Sequence, residues 1–271
     1  MLLTLSAHSF RQSLTGSSPS LRLGDLPALA RNELGLNGLV LQTEFLAGWD
    51  LNKIERLRDS ADKDGAPLLL LVESEPQRLA SADAQAAAAA EERVARVLQV
   101  AHRLGCSAVA LGIKDPGASV PPEVVAAAVK KAVQRAERLE LNLLLAPATG
   151  LTESPERMTT LIRKVGGFRI GAYPDFEAST ASGDAKAYLR ALTPYASVVC
   201  ASFGSAKADG LLSCIDVIAG VGFDQTVALE WRGKGDPREA LVRAKAAFAA
   251  LDKEDDEPTD EEAPEDEESD E

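Results

Sequence analysis

Short apolar runs alternate with helix-patterned stretches eight times between Leu2 and Leu251, and this repeat restricts the fold more than any single residue does. The runs Leu2–Ser6, Gly38–Phe45, Pro67–Val72, Ala108–Ile113, Leu141–Ala146, Phe168–Tyr173, Ala196–Ala201 and Gln225–Glu230 read as strands. The third, P-L-L-L-L-V, is almost wholly apolar, as a parallel strand covered on both faces must be. Between the runs lie predicted helices over Leu26–Leu34, Leu51–Asp64, Asp83–Leu104, Pro121–Glu140, Asp184–Leu192 and Leu211–Ala219. Two more open at Ser154-Pro155 and at Asp236-Pro237, each an N-cap followed by proline. In the Asp83–Leu104 stretch, Val94, Val97, Leu98, Ala101 and Leu104 share one face and Gly105 stops the helix. Eight strand–helix units in so short a chain predict a closed α/β barrel, a (β/α)8 TIM barrel, over residues 1–251. A dinucleotide-binding sheet is the alternative, but A-H-S-F-R stands after the first strand where its Gly-rich phosphate loop would be.

The formal charge of −13 misleads about that barrel. Residues 252–271 hold fourteen acidic residues and one lysine; removing these from the chain's 42 acidic and 29 basic residues leaves 28 of each in residues 1–251. A neutral body lacks the clustered Lys and Arg that neutralise phosphates, so nucleic acid is excluded as a partner. The acidic stretch has nothing larger than alanine to bury and is expected to be a disordered tail, either solubilising or a contact for a basic protein partner. Three cysteines, Cys106, Cys200 and Cys214, lack zinc or redox spacing. With no apolar run long enough to cross a membrane and no basic leader at Met1–Phe10, the expectation is a cytoplasmic protein.

Barrels of this type keep their chemistry where the strands end, so position alone nominates His8, Gln42 or Glu44, Glu73, Lys114 with Asp115, Ala146 to Ala148, Asp175, Cys200 with Ser202, and Glu230 with Arg232. Glu230 ends the eighth strand between Leu229 and Trp231, where a charge needs a cation, a ligand or an ion-pair partner such as Arg232 or Lys114. Asp175, after Pro174, suits either a turn cap or a ligand role. Glu73 suits a loop cap or a pair with a basic neighbour, and with Asp175 and Glu230 it makes three carboxylates that could share Mg2+ or Mn2+. His8, Glu73, Lys114 and Arg232 are the further candidates for contacting a ligand.

The segments L-G-D-L-P-A-L-A-R-N-E-L-G-L-N-G (23 to 38), A-D-K-D-G-A-P-L-L-L-L-V-E (61 to 73), I-G-A-Y-P-D-F (170 to 176) and V-A-L-E-W-R-G-K-G-D-P (227 to 237) resemble the sugar phosphate isomerase/epimerase family, the xylose-isomerase-like barrels. The resemblance spans residues 1–251. It implies a divalent-metal site made by a glutamate after strand five, an aspartate after strand six, a histidine after strand seven and a glutamate after strand eight, the two glutamates also forming an acid/base pair. Asp175 and Glu230 match two of these. The strand-five motif E-N-H-G-G-L-T reads A-P-A-T-G-L-T, with Ala146 and Ala148 in place of the glutamate and histidine. The strand-seven motif H-A-K reads C-A-S, with Cys200 and Ser202 in place of the histidine and lysine.

Moving a proton between sugar carbons requires a base beside the C–H and a metal or donor on the developing enediolate. Ala146 removes one arm of that pair, and Cys200 puts a soft thiol where Mg2+ or Mn2+ wants a harder donor. The expectation is therefore a barrel that has lost the metal-dependent proton transfer, keeps a degraded metal site at Asp175 and Glu230 with at most a weakly bound divalent cation, and binds at most a sugar-like ligand. The alternatives are an active isomerase or epimerase with Glu230 as its catalytic base and Glu73 as a substitute ligand, and a scaffold whose acidic tail is the working part.

Overall fold

The computed structural model describes residues 1–15, 19–117, 120–204 and 208–254. Strands β1 (Leu2–Ser6), β2 (Leu39–Gln42), β3 (Leu68–Val72), β4 (Ala108–Leu111), β5 (Asn142–Leu145), β6 (Ile170–Ala172), β7 (Val198–Phe203) and β8 (Thr226–Trp231) are all parallel. Because β1 pairs with β8 as well as with β2, the ladder runs unbroken from β6 back to β1 and on through β8 to β7. The last seam, between β6 and β7, is joined at two isolated bridges, Ala172–Ala196 and Asp175–Cys200, with the Cys200 amide donating to the Pro174 carbonyl at 2.8 Å. Gly171 sits at this seam because a Cβ there would collide with the Tyr195 carbonyl.

Around the sheet lie α1 (Leu51–Lys63), α2 (Ala84–Leu104), α3 (Pro122–Glu137), α4 (Pro155–Val165), α5 (Phe176–Ala181), α6 (Ala185–Leu192), α7 (Ala208–Gly220) and α8 (Arg238–Glu254). The predicted Ser154 cap and Gly105 stop are in place, and Asp83 caps the helix that Gly105 ends. Asp83 accepts from the Gln85 amide at 2.9 Å and Ser154 from the Arg157 amide at 3.3 Å, while Gly105 closes α2 in the left-handed region at φ 78°.

The apolar residues divide into two sets, as a packed barrel requires. Outward-facing strand residues such as Val199, Ala201, Val227 and Leu229 pack under the helices in the larger set. The inward set holds Val40, Leu70, Ala108, Ala110, Leu144, Ala146, Tyr173, Val198, Cys200 and Ala228. Several of these are small, so the lumen is filled in its lower layers and left open toward the strand ends.

Three departures from the sequence reading have local causes. The stretch Leu26–Leu34 is not one helix: a short α-turn at Leu26–Ala28 widens at Leu29–Glu33, where the Leu34 amide reaches the Leu29 carbonyl at 3.1 Å. The second strand stops at Gln42 because Thr43–Leu46 curls into a 3-10 turn whose Thr43 hydroxyl and Glu44 amide bond to Ser74 on the neighbouring loop. Helix α5, unforeseen, begins at Asp175, whose carboxylate accepts from the Ala178 amide at 2.9 Å. The barrel's last helix continues to Glu254, and the rest of the expected tail, 255–271, lies outside the described residues. No helix among the described residues is long and apolar enough to cross a membrane.

Candidate functional site

Strand register brings the acidic groups together. β7 and β8 align Cys200 with Ala228 and Ser202 with Glu230, and the bridge across the seam sets Asp175 beside Cys200. Since side chains alternate faces along a strand, Cys200, Ser202, Ala228 and Glu230 all point inward while the apolar neighbours of Glu230 point away. One donor atom each from Asp175, Cys200 and Glu230 lies within 4.8 Å of the others, forming a possible metal-ligand group. All three are buried, at 4%, 1% and 4% exposure.

Arg232 settles what occupies that group. Its amide continues the ladder to the Phe203 carbonyl at 2.9 Å, so two residues beyond Glu230 its side chain emerges on the same face. The guanidinium then turns back into the mouth. Nε donates to Glu230 Oε1 at 2.7 Å, one terminal nitrogen donates to Asp175 Oδ2 at 2.5 Å, and the other donates to Asp175 Oδ1 at 3.3 Å and to Glu177 Oε2 at 3.2 Å. A planar fork with five N–H donors suits two carboxylates at once. Its charge holds: burial opposes it, but the negative charges of Glu230 and Asp175 keep the guanidinium well above its ordinary pKa.

The remaining oxygens are also engaged. Ser6 donates to Glu230 Oε2 at 2.6 Å, and the Gln42 amide nitrogen donates to Ser6 Oγ at 2.9 Å and to Glu230 Oε2 at 3.4 Å. Ser202 donates to Asp175 Oδ1 at 2.8 Å while accepting the Glu177 amide at 3.0 Å. Cys200 and Tyr173 are neutral. Burial first, and then the negative charges of Glu230 and Asp175, push the Cys200 thiol far up; burial likewise raises the Tyr173 phenol.

Two polar atoms in this layer, Gln42 Oε1 and the Tyr173 hydroxyl, have no hydrogen-bond partner among the described residues. Both residues line a cavity of about 460 Å3 that opens at the strand ends. His8, Glu73 and Arg232 line it as well, together with Glu44, Arg11 and Glu75 at its rim. His8 Nδ1 stands 3.7 Å from Glu44, which also pairs with Arg11 at 3.0 Å. Glu73 is not in the Asp175–Cys200–Glu230 group: Arg93, from α2, grips it through Nε at 3.0 Å and a terminal nitrogen at 2.9 Å. Lys114 is exposed and does not line the cavity, its amide serving only to bond the Gln77 carbonyl. Sequence reasoning missed Ser6 as a support for Glu230, and nominated Ser202 by position and as a replaced lysine without assigning it to Asp175. The signal was there in principle, since Ser6 ends β1 and Ser202 is the last inward-facing residue of β7.

The divalent-metal site that the resemblance implies does not fit these residues as they stand. Every oxygen of Asp175 and Glu230 already accepts a hydrogen bond, the third donor is a protonated thiol, and a guanidinium fills the position a cation would take between the acids. Ala146, at the implied strand-five glutamate, adds no donor and lies 9% exposed in the cavity wall.

No family model and no curated protein sequence matches the chain. Solved structures do. An L-ribulose 3-epimerase superposes with a TM-score of 0.72 at 18% identity, covering 93% of this chain and 94% of its own. A D-psicose 3-epimerase with D-tagatose from Clostridium cellulolyticum H10 gives 0.70 at 14% identity over 93% and 97%. A xylose isomerase domain protein from Planctomyces limnophilus gives 0.66 at 12% over 93% and 96%. Identities this low establish architecture, and over nearly its whole described length the chain has the xylose-isomerase-like TIM-barrel fold shared by these sugar epimerases and isomerases.

Proposed function

We propose that the mouth of this barrel is a metal-independent binding site for a small polyhydroxylated, sugar-like molecule, and that the barrel does not perform the metal-dependent proton transfer that the resemblance implies. One observation carries this reading: Arg232 holds Asp175 and Glu230 together with hydrogen bonds of 2.5 and 2.7 Å, supplying from within the chain the positive charge that a divalent ion would otherwise bring. A base must be free to take a proton, and Glu230 instead accepts from Arg232 on one oxygen and from Ser6 and Gln42 on the other. Binding, by contrast, suits the site. A cavity of about 460 Å3 holds a monosaccharide, and the unpartnered Gln42 Oε1 and Tyr173 hydroxyl offer an acceptor and a donor–acceptor to ligand hydroxyls.

The test is thermal unfolding with Mn2+ and with hexoses. The melting temperature of the wild-type protein is expected to be unmoved by millimolar Mn2+ and raised by a ketohexose or aldohexose at concentrations above its Kd. A rise of several degrees with Mn2+ that disappears in Glu230→Gln would instead establish a working metal site and defeat the proposal.

A further inference from the structure

The ligand class of the site follows from charge, and it rests on the reading of the mouth as a polyol site. Six carboxylates surround the opening: Glu44, Glu73, Glu75, Asp175, Glu177 and Glu230. Three guanidiniums face them, and each is committed: Arg11 to Glu44 at 3.0 Å, Arg93 to Glu73 at 2.9 Å, and Arg232 to Asp175, Glu177 and Glu230 together. Among the described residues, no arginine or lysine lining the cavity is left over for an anionic ligand, and the His8 ring there faces Glu44 at 3.7 Å. A phosphate or carboxylate entering here meets excess negative charge in a partly desolvated space, whereas a positive group gains from it.

An acidic cluster alone specifies nothing, but the amide of Gln42 does. Ser6 donates its only hydroxyl proton to Glu230, so it must accept from Gln42, and this fixes the amide with its nitrogen toward Ser6 and Glu230. The oxygen, Oε1, is left buried and without a donor on a residue 6% exposed that lines the cavity. Tyr173, 5% exposed, lines the same wall with its hydroxyl also unpartnered. A lone acceptor beside a carboxylate can be met by a ligand hydroxyl, but a hydroxyl has one proton to give, whereas an ammonium has three N–H donors and a positive charge and can serve the amide oxygen and a carboxylate together. We propose that the site selects a monosaccharide-sized polyol bearing a protonated amine, an amino sugar or amino polyol, over its neutral counterpart and over its phosphate.

Isothermal titration calorimetry on the full chain in EDTA, with D-glucosamine, D-glucose and D-glucose 6-phosphate, holds the ring constant while changing the charge. The expected order is glucosamine tightest by about tenfold, as one charge-assisted hydrogen bond allows, then glucose, then the phosphate. Added salt is expected to shrink the glucosamine preference without changing glucose. Glu75→Gln, at the exposed rim, should cut the preference by roughly twofold to threefold, and Gln42→Leu should cut it further. Attraction by the acidic C-terminal residues would be indifferent to both substitutions, so a preference unchanged in both variants overturns the proposal. Equal affinity for glucosamine and glucose also overturns it while leaving the polyol site standing, as does tightest binding of the phosphate. No binding by any of the three overturns both.

Discussion

Two buried acidic centres stand on opposite sides of the barrel mouth, and they differ in how their charge is balanced. At the end of β3, Glu73 has one arginine to itself: Arg93 reaches in from α2 and holds it with paired hydrogen bonds at 3.0 and 3.2 Å. Across the opening, Asp175 and Glu230 share a single guanidinium with Glu177. The first centre is neutral and closes the barrel edge against a helix. The second carries surplus negative charge and is backed by unpartnered Gln42 and Tyr173 atoms. A carboxylate at a strand end is therefore no sign of function by itself; the ratio of acids to fixed cations, and the polar atoms left over, are what mark a site.

Removing the cations should separate the centres most sharply. Arg232→Met leaves two carboxylates buried against each other, and a loss of about 3–5 kcal/mol in urea unfolding is expected, as for other broken buried pairs. Mn2+ should return part of that loss, because the substitution frees the oxygens that the guanidinium had taken, and the return should be absent if Asp175 is also changed to Asn. Arg93→Met should cost less, roughly 1–3 kcal/mol, since Arg93 is 42% exposed and water can partly replace it. Mn2+ should not rescue this variant, for Glu73 has no second carboxylate in its group. Equal rescue of both variants would erase the distinction drawn between them.

Alkaline titration probes the same asymmetry more gently. Cys200 sits between Asp175 and Glu230, and burial holds its pKa well above the ordinary 9.0. Below pH 9 the thiol is protonated in the folded and unfolded chain alike and contributes no pH dependence. Above it the unfolded chain ionises while the folded one does not, so stability falls as pH rises, by up to about 1.4 kcal/mol per pH unit for this one group. Cys106, pushed up to about 12 by burial away from the mouth, adds a slope of the same sign. Cys200→Ala should remove one group's share of the decline between pH 9 and 10, and Ser74→Ala, beside Glu73, should leave the decline unchanged. An undiminished slope in Cys200→Ala would show that the thiol is not desolvated as described.

How far the sequence showed this in advance varies with the range of the interaction. The strands, the helix cap at Ser154 and the Gly105 stop were legible because each depends on residues within a few positions. The meeting of Asp175 with Glu230 was legible through the barrel hypothesis, which places strand ends side by side. Only part of the Arg232 fork was: the sequence offered Arg232 as an ion-pair partner for Glu230, as the structure has it, but nothing in W-R-G-K-G reveals that the guanidinium also reaches Asp175 and, on α5, Glu177. Glu73 likewise could not be assigned, because its partner lies twenty residues away on a helix whose polar face looks solvated in sequence. Local chemistry reads forward from sequence, while charge pairing between distant elements waits for the fold.

The smallest expected effect tests whether the acidic centre is held in place or merely gathered. Ser202 is the only hydroxyl bonded to Asp175 among the described residues, and it also accepts the Glu177 amide, so one side chain sets both the carboxylate and the first turn of α5. Ser202→Ala leaves the Glu177 amide without its acceptor and Asp175 with two donors, the Arg232 guanidinium and the Ala178 amide. A cost of about 1 kcal/mol follows from losing such a bond where water has limited access. If Ser202 also fixes the angle at which Asp175 meets Arg232, hexose affinity should fall along with stability, whereas a purely structural hydroxyl would lower the melting temperature and leave affinity intact. Ser202→Thr, which keeps the hydroxyl, should recover affinity even if the added methyl strains the packing. An alanine variant with full affinity would mean that Arg232 alone positions Asp175, and that the ordering of the site comes from the fork rather than from the strand beneath it.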